Sequence, residues 1–287
     1  GAVADVTGVT PSAVSQQLKV LEKEAGVALL EPAGRGVALT AAGRALAQTA
    51  TEIAVAIAKA ESEWREFMEQ PAGDVTLTTF ASGGEMLLPG LLTRLADEPH
   101  INLVCTDQDV TKFDFADLTP DHDIVVADSP TTSASWHERG LQVVPLMSEP
   151  LDVALPENHR LATKASLSPK DVVGETWIGV PHDFPFDRVL SQVVASTGEP
   201  VRIAQRLADN GIVESMVAAG HGIAILPRFT TREHGNGLVT RPLVGIRAKR
   251  EISALLRPDR FERPSVRFVV QALRAEARAV SDAHQAV

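Results

Sequence analysis

The sequence predicts an α/β protein with an N-terminal all-α/winged-helix unit, and three observations support this fold class. A short amphipathic helix with a recognisable start and end lies near the beginning of the chain. A proline-free stretch rich in alanine and glutamate follows between residues 40 and 70 and predicts one long helix. From residue 74 onward, β-branched runs alternate with helical patterns, which is typical of a mainly parallel sheet covered by helices.

Length and composition exclude several classes of protein. A chain of 287 residues with 44% hydrophobic content can form two or three compact units with their own cores. The net charge of −10 argues against a protein that coats nucleic acid by charge alone. No apolar run approaches the roughly 20 residues of a membrane span, and the start lacks a signal-peptide layout, so we expect a cytoplasmic protein with no membrane partner.

The first helix is predicted between Thr10 and Gly26. Thr10 can cap its start, Pro11 suits the first helical position, and Gly26 suits the turn that ends it. Its apolar residues recur at helical spacing in one stripe, whereas the opposite face carries short hydroxyl, amide and amine side chains. Residues 2–7 predict a shorter helix that ends at Gly8, and the pair predicts a helix-turn-helix.

A hairpin after this helix favours a DNA-binding role for the polar face of the helix. The alternative is a polar face that only contacts solvent. Leu29 and Leu30 and then residues 36–39 predict two short strands around a glycine turn, with Arg35 at its tip. Such a unit can place small polar side chains in a major groove and the arginine of its wing against phosphates or a minor groove. The candidate DNA-binding residues are Thr10, Ser12, Ala13, Ser15, Gln16, Lys19 and Arg35.

The N-terminal unit of residues 1–40 is predicted to work as a pair. Residues 1–50 carry four basic and four acidic side chains and are therefore neutral. A neutral module of this size would bind one DNA half-site weakly, so that useful affinity requires two copies. Because its short helices cannot cover their own apolar residues, we expect a further helix ahead of residue 1.

Residues 41–71 form the predicted linker and dimerisation helix. Apolar residues recur along it every seven positions in two rows, which is a coiled-coil signature. An ordinary helix packed on its own domain is the alternative, but one small domain cannot cover so long a row. The predicted dimer contacts are Leu46, Ala50, Ile53, Ile57, Ala60, Trp64 and Phe67. Pro71 and Gly73 then mark a domain boundary.

The region after residue 74 predicts a ligand-binding edge. In open α/β sheets, ligands bind beyond the carboxyl ends of the strands, where helix N-termini offer free amide groups. Any single polar residue at such a strand end can also be a plain loop or cap residue. Several of them on one edge of the sheet favour a ligand-binding site. The predicted ligand-binding residues are Ser82, Gly83, Ser129, Thr131, His182, Phe184, Asn210 and Gly211.

The sequence contains no catalytic or metal-binding motif. The eight histidines include no i, i+4 pair, and the single cysteine, Cys105, lies in an apolar run that predicts a buried strand. A nucleophile elbow, a P-loop and a strand-associated dinucleotide fingerprint are missing. We therefore expect neither an enzyme nor a protein with a cofactor or a metal ion.

Four segments resemble LysR-type transcriptional regulators. The segment TPSAVSQQLKVLEKEAGVALLEPAGRGVALTAAG, residues 10–43, resembles their winged helix-turn-helix. The segments FASGGEMLLPGLL, LDVALPENHRLA and VESMVAAGHGIAILP, which begin at residues 80, 151 and 213, resemble their effector domain. The resemblance implies an effector bound between two periplasmic-binding-protein-like subdomains, residues 74–148 plus 250–287 and residues 149–249.

The resemblance also implies a regulator that binds double-stranded operator DNA as a homodimer or homotetramer. One departure is Glu31-Pro32, where the family commonly has a basic residue, so we expect fewer phosphate contacts. Asp128, Asp183 and Asp209 follow strands without an adjacent lysine or arginine, which favours a neutral or amine-bearing effector over a polyanion. The alternative function is a cytoplasmic solute-binding or sensor protein whose N-terminal segment serves only for assembly.

Overall fold

The computed structural model describes residues 10–33, 36–67, 71–108, 115–129, 134–182, 184, 186–232 and 237–285. Its helices are α1 (Pro11–Ala25), α2 (Ala41–Phe67), α3 (Ala81–Arg94), α4 (Ala134–Glu138), α5 (Pro169–Val172), α6 (Asp187–Thr197), α7 (Asn210–Ala218), α8 (Pro258–Phe261) and α9 (Pro264–Gln285). Its strands are β1 (Leu30–Ala33), β2 (Gly36–Leu39), β3 (Gly73–Thr79), β4 (Ile101–Asp107), β5 (Ile124–Ser129), β6 (Gln142–Pro156), β7 (Thr176–Gly179), β8 (Arg202–Arg206), β9 (Ala224–Pro227), β10 (Leu238–Pro242) and β11 (Lys249–Leu256).

The N-terminal unit is a capped helix followed by an antiparallel hairpin, which confirms the predicted α1 and wing strands. The Thr10 hydroxyl accepts a hydrogen bond from the Ala13 amide at 3.3 Å, and Gly26 ends α1 with a φ of 68°. Only a residue without Cβ adopts that φ freely. The Glu22 carboxylate accepts a hydrogen bond from the Leu29 amide at 2.8 Å. This bond fixes the start of the wing against α1.

The linker helix α2 packs with one side against the α/β region. The Thr40 hydroxyl caps it by accepting a hydrogen bond from the Gly43 amide at 3.0 Å, and the predicted helix is confirmed as far as Phe67. Ser62 is buried, and its hydroxyl accepts a hydrogen bond of 2.6 Å from Arg267 of α9. The alternative of a helix packed on its own domain therefore holds for this side of α2.

The first α/β subdomain is built on strands in the order β11-β5-β3-β4. Strand β3 runs parallel to β4 and β5, whereas β11 runs antiparallel to β5. Helices α3 and α9 share one apolar core with this sheet, in which Leu77, Leu91, Ile124 and Leu273 have almost no exposed surface. The ends of β3, β4 and β5 point to the same edge, as the sequence predicted.

The second subdomain contains β7 and β8, which pair in parallel, and β9 and β10, which pair with the second half of β6. Trp177 of β7 lies at the centre of its core and is fully buried. The indole nitrogen donates a hydrogen bond to the Val172 carbonyl oxygen at 3.2 Å. This bond satisfies the polar atom of an otherwise apolar side chain.

Two adjacent antiparallel strands, β6 and β11, connect the subdomains. Strand β6 has 15 residues; it pairs with β11 as far as Pro150 and with β9 from Leu151 onward. The prediction of a mainly parallel sheet was wrong here. The sheet is mixed, because the connecting strands run antiparallel to their neighbours.

Candidate functional site

A cavity of about 350 Å³ lies between the two subdomains, beyond the ends of β3 and β4. The first subdomain lines it with Phe80, Ala81, Ser82, Glu85, Asp107, Gln108, Asp128 and Arg250. The second subdomain lines it with Val180, Phe184, Phe186, Ala208, Asp209, Asn210 and Gly211. A molecule bound here would contact both subdomains, so its binding would depend on their relative arrangement.

Two helix N-termini border this cavity and differ in their charge. Helix α3 starts directly after β3, and its N-cap residue Phe80 provides no side-chain hydrogen bond to the first turn. The start of α3 therefore keeps the partial positive charge of unpaired amides. Helix α7 is capped by Asp209, whose carboxylate accepts a hydrogen bond from the Ile212 amide at 2.8 Å. This carboxylate offsets the charge at the start of α7.

A buried arginine, Arg250 of β11, forms the floor of the cavity and is 2% exposed. Its guanidinium lies 2.6 Å from the Glu149 carboxylate and 3.1 Å from the Asp128 carboxylate. It also donates a hydrogen bond to the Ser82 hydroxyl at 3.0 Å. One side chain thus links β11, β6, β5 and α3 at the point where the chain passes between the subdomains.

The surroundings of Arg250 favour its ionised form. Burial alone would lower its pKa, but the carboxylates of Glu149 and Asp128 raise the pKa of Arg250 above its usual value. Burial raises the pKa of Asp128, and the nearby guanidinium opposes this rise. The rings of Phe80 and Phe186 lie 4.7 and 5.4 Å from the guanidinium carbon and add cation–π contacts.

The pattern of polar residues after strand ends did not predict a role for Arg250, because Arg250 lies inside a connecting strand. A signal was nevertheless present, since the run from Ile252 to Leu256 is apolar except for Ser253, and a charge beside such a run requires a partner. Glu149 is its partner in register on β6, the other connecting strand.

Four predicted ligand-binding residues line the cavity, namely Ser82, Phe184, Asn210 and Gly211. Ser82 and Gly211 lie in the first turns of α3 and α7. Thr131 lies outside the described residues. Gly83, Ser129 and His182 are not among the residues that line the cavity.

These three residues lie outside the cavity lining for different local reasons. Gly83 is buried, and a Cβ atom on it would lie 2.7 Å from the Phe80 ring. Ser129 is the last residue of β5 and lies opposite Glu251 in the sheet. The side chain of His182 is 73% exposed, and its Nδ1 lies 3.5 Å from the Asp187 carboxylate on the surface.

The predicted DNA-binding face of α1 is open to solvent. Ser12, Ser15, Gln16 and Lys19 are exposed, whereas Ala13 is half-buried. Thr10 is exposed as well, but its hydroxyl is engaged as the helix cap and lies 2.9 Å from the Ser12 hydroxyl. Arg35 and the shorter helix predicted for residues 2–7 lie outside the described residues.

The two predicted apolar rows of α2 face solvent, on the side opposite Ser62. Ile53 and Ile57 are each 56% exposed, and Trp64 is 67% exposed. Leu46, Ala50 and Ala60 are exposed as well. For Phe67 only the backbone is described.

The described residues contain no group of three or more histidine, cysteine, aspartate or glutamate side chains that could hold a metal ion. None of the helices in these ranges is long and apolar enough to cross a membrane. Cys105 lies in β4, as predicted, but is half-buried and not fully buried; burial raises the pKa of its thiol.

Two family models match this chain. The bacterial regulatory helix-turn-helix model of the lysR family matches residues 1–44, and the LysR substrate binding domain model matches residues 68–278. The chain belongs to the LysR family. It is a DNA-binding transcriptional regulator with a substrate-binding domain. Because both models match, a solute-binding protein with an assembly-only N-terminus is not favoured.

Relatives of this LysR-type regulator match over most of their length. The transcriptional regulator CysL of Bacillus subtilis is 25% identical over 226 residues, which cover 78% of this chain and 74% of CysL. A variant of OxyR from Corynebacterium glutamicum has a similar fold, with a TM-score of 0.62, 20% identity and coverage of 99% and 90% of the two chains. Full-length CbnR complexed with its target DNA gives a TM-score of 0.58, 21% identity and coverage of 96% and 93%.

Proposed function

We propose that this regulator binds operator DNA as a homodimer or homotetramer through α1 and the wing, and that a small molecule bound between its two subdomains controls this binding. The observation that carries the proposal is the cavity that both subdomains line, with Arg250 on its floor. Since DNA is its target, we place its activity in the cytoplasm. No step of this function requires catalysis or a cofactor.

The exposed face of α1 has the chemistry needed for reading DNA. Gln16 can make paired hydrogen bonds to adenine in a major groove, and the short side chains of Ser12 and Ser15 allow α1 to approach the bases closely. Lys19 lies one turn further along and can neutralise a phosphate. With Thr10, Ala13 and Arg35, these residues form the proposed DNA-binding surface.

The exposed rows of α2 support dimerisation. Isoleucine and tryptophan side chains that are more than half exposed on one helical stripe are costly in water. Their seven-residue spacing matches a coiled coil with a second copy of the same helix. Since the opposite side of α2 packs on its own subdomain through Ser62 and Arg267, such a pairing would position the substrate-binding domain relative to the DNA.

The cavity can couple ligand binding to the arrangement of the subdomains. A ligand changes DNA binding only by the difference in its affinity for two arrangements, and a tenfold preference corresponds to about 1.4 kcal/mol. Ser82 of the first subdomain and Phe184 and Asn210 of the second line the cavity. A ligand that touches these three residues bridges both subdomains.

Substitution of Asn210 by tryptophan tests the site. Asn210→Trp adds an indole at the start of α7, where it fills the cavity, and Ser196→Trp adds the same group on the exposed surface of α6 as a control. Metabolites are screened by thermal shift with the full chain and both variants. We expect a stabilising metabolite to act on the wild type and Ser196→Trp but not on Asn210→Trp. A metabolite that binds all three proteins equally would exclude this cavity as its site.

A further inference from the structure

We propose that the ligand of this cavity is a cation, with an amine or amidine group attached to an apolar or aromatic body. The inference rests on the proposed function, because it assigns a class of ligand to the same cavity. Two observations support it. Carboxylates outnumber cations on the cavity wall, and the Arg250 guanidinium on the cavity floor already binds other residues of the protein.

Carboxylates outnumber cations on the described wall of the cavity. Glu85, Asp107, Asp128 and Asp209 line it, whereas Arg250 is the one positively charged residue among the lining residues that the structure describes. Glu149 adds a further buried carboxylate directly behind Arg250. The cavity therefore has a negative potential, which is strengthened by its partly enclosed, low-dielectric surroundings.

Arg250 is not available to bind an anionic ligand. Its Nε and both terminal nitrogens donate hydrogen bonds to Glu149, Asp128 and Ser82, and its charge is matched by two carboxylates. A ligand carboxylate would have to displace one of these buried carboxylates and leave it without its partner. Leaving a buried charge unpaired costs more than a new ion pair contributes. The start of α3 alone offers an anion only the weaker attraction of its amides.

Two carboxylates on the wall can receive a cation. Asp107 ends β4 and is exposed, and within the described ranges its side chain makes no hydrogen bond or ion pair. Asp209 uses one carboxylate oxygen as the cap of α7 and has a second oxygen for a ligand. Glu85 is less available, because it pairs with Arg232 at 2.6 Å. An ammonium group with three donors suits carboxylates of this kind.

Apolar residues on the other side of the cavity suit the body of such a ligand. Phe184 is half-buried beside Val180 and Ala208 on the second subdomain. The contacts of Phe80 and Phe186 with Arg250 show that aromatic faces in this cavity already stabilise a positive charge. A volume of about 350 Å³ is near the lower end of ligand pockets and fits a molecule with one ring.

Three probes that share a phenylethyl body and differ in the charge of their end group test the inference on the full chain. They are 2-phenylethylamine, 3-phenylpropionamide and 3-phenylpropionate, each added at millimolar concentration in a thermal-shift assay. We expect the amine to raise the unfolding temperature most and the carboxylate least. A carboxylate that stabilises the protein as much as the amine, or the lack of any shift with the amine, would overturn the inference.

Two isosteric variants locate the effect. Asp107→Asn removes a carboxylate from the wall, whereas Asp97→Asn makes the same change on the surface outside the cavity. In calorimetric titrations we expect Asp107→Asn to weaken amine binding about fivefold, equivalent to about 1 kcal/mol. Asp97→Asn should bind like the wild type. Equal affinities of the two variants would contradict a role of Asp107.

The Asn210→Trp variant separates this inference from the proposed function. If the carboxylate probe binds the wild type and Asn210→Trp abolishes its binding, the cavity is the ligand site and only the assigned charge is wrong. If Asn210→Trp leaves the binding of every probe unchanged, the cavity is not the site, and both proposals fail.

Discussion

The Arg250 guanidinium lies 2.6 Å from the Glu149 carboxylate, and these two residues are partners in register on the two strands that connect the subdomains. Both side chains are buried, so that neither charge is solvated by water. The pair therefore joins the floor of the cavity to the connecting strands. Any change in the hydrogen bonds of Arg250 therefore acts on the two strands that connect the subdomains.

Loss of one partner of this pair should destabilise the protein strongly. Glu149→Gln leaves Arg250 with a single carboxylate in a buried position, and we expect the free energy of unfolding to fall by about 3 kcal/mol. As a control, Glu251→Gln on the same pair of strands removes partly exposed ion pairs with Arg247 and Lys249 and should cost less than about 1 kcal/mol. Urea unfolding of both variants measures the difference. Similar losses would contradict the importance of the buried pair.

Substitutions on α1 should separate base contacts from phosphate contacts. Gln16→Ala should reduce discrimination at one position of the operator by about 1–3 kcal/mol. Lys19→Ala should weaken binding to all sequences alike and reduce the salt dependence. Gel-shift titrations on operator and scrambled duplexes at two salt concentrations measure both effects. Equal losses on both duplexes for both variants would refute this division.

A charge in the apolar rows of α2 should break the dimer. Ile57→Asp places a carboxylate in one of the apolar rows of α2, whereas Gln48→Asp places one at an exposed position on the other side of this helix. We expect Ile57→Asp to be monomeric and to lose operator binding while its circular dichroism spectrum is unchanged. Gln48→Asp should remain dimeric. Light scattering that shows the wild type as a monomer at micromolar concentration would refute dimerisation through the apolar rows of α2.

His122 should make stability depend on pH. Burial lowers the pKa of His122 below its usual 6.5, although Asp121 and Asp123 oppose this shift. Its Nδ1 is buried and has no hydrogen-bond partner in the described part of the chain. In the folded protein the neutral ring is favoured, so the stabilisation is complete above pH 6.5 and is lost as pH falls towards the lowered pKa.

The variant His122→Gln isolates this contribution. Its free energy of unfolding is subtracted from that of the wild type at about pH 7.5 and at about pH 5.5. We expect the wild type to lose more stability on acidification than the variant does. A difference between the two proteins that does not change with pH would show that His122 titrates alike in the folded and unfolded states.

Local signals in the sequence predicted the elements whose ends carry a specific residue. Thr10 and Gly26 mark α1, because the side chain of Thr10 and the backbone angle of Gly26 act within one turn. The rule that ligands bind beyond the carboxyl ends of strands also pointed to Ser82 and Asn210, which lie on the cavity wall. This rule depends only on the direction of neighbouring strands.

Features that depend on distant parts of the chain were not predictable in this way. The pairing of Arg250 with Asp128 joins residues that are far apart in sequence, and no local pattern encodes it. The orientation of His182 depends on Asp187 and on the solvent, so its position after a strand was not sufficient. The mixed sheet likewise follows from the return of the chain through β6 and β11.

The most direct test of a ligand-responsive operator-binding protein is a gel-shift measurement with the full chain and a duplex from upstream of its own gene. We expect this duplex to bind at least about a thousandfold more tightly than a scrambled duplex of equal length. A metabolite that stabilises the wild type should change the affinity for the operator but should not change that of Asn210→Trp. Equal affinities for operator and scrambled duplex, with no response to the metabolite, would contradict the account.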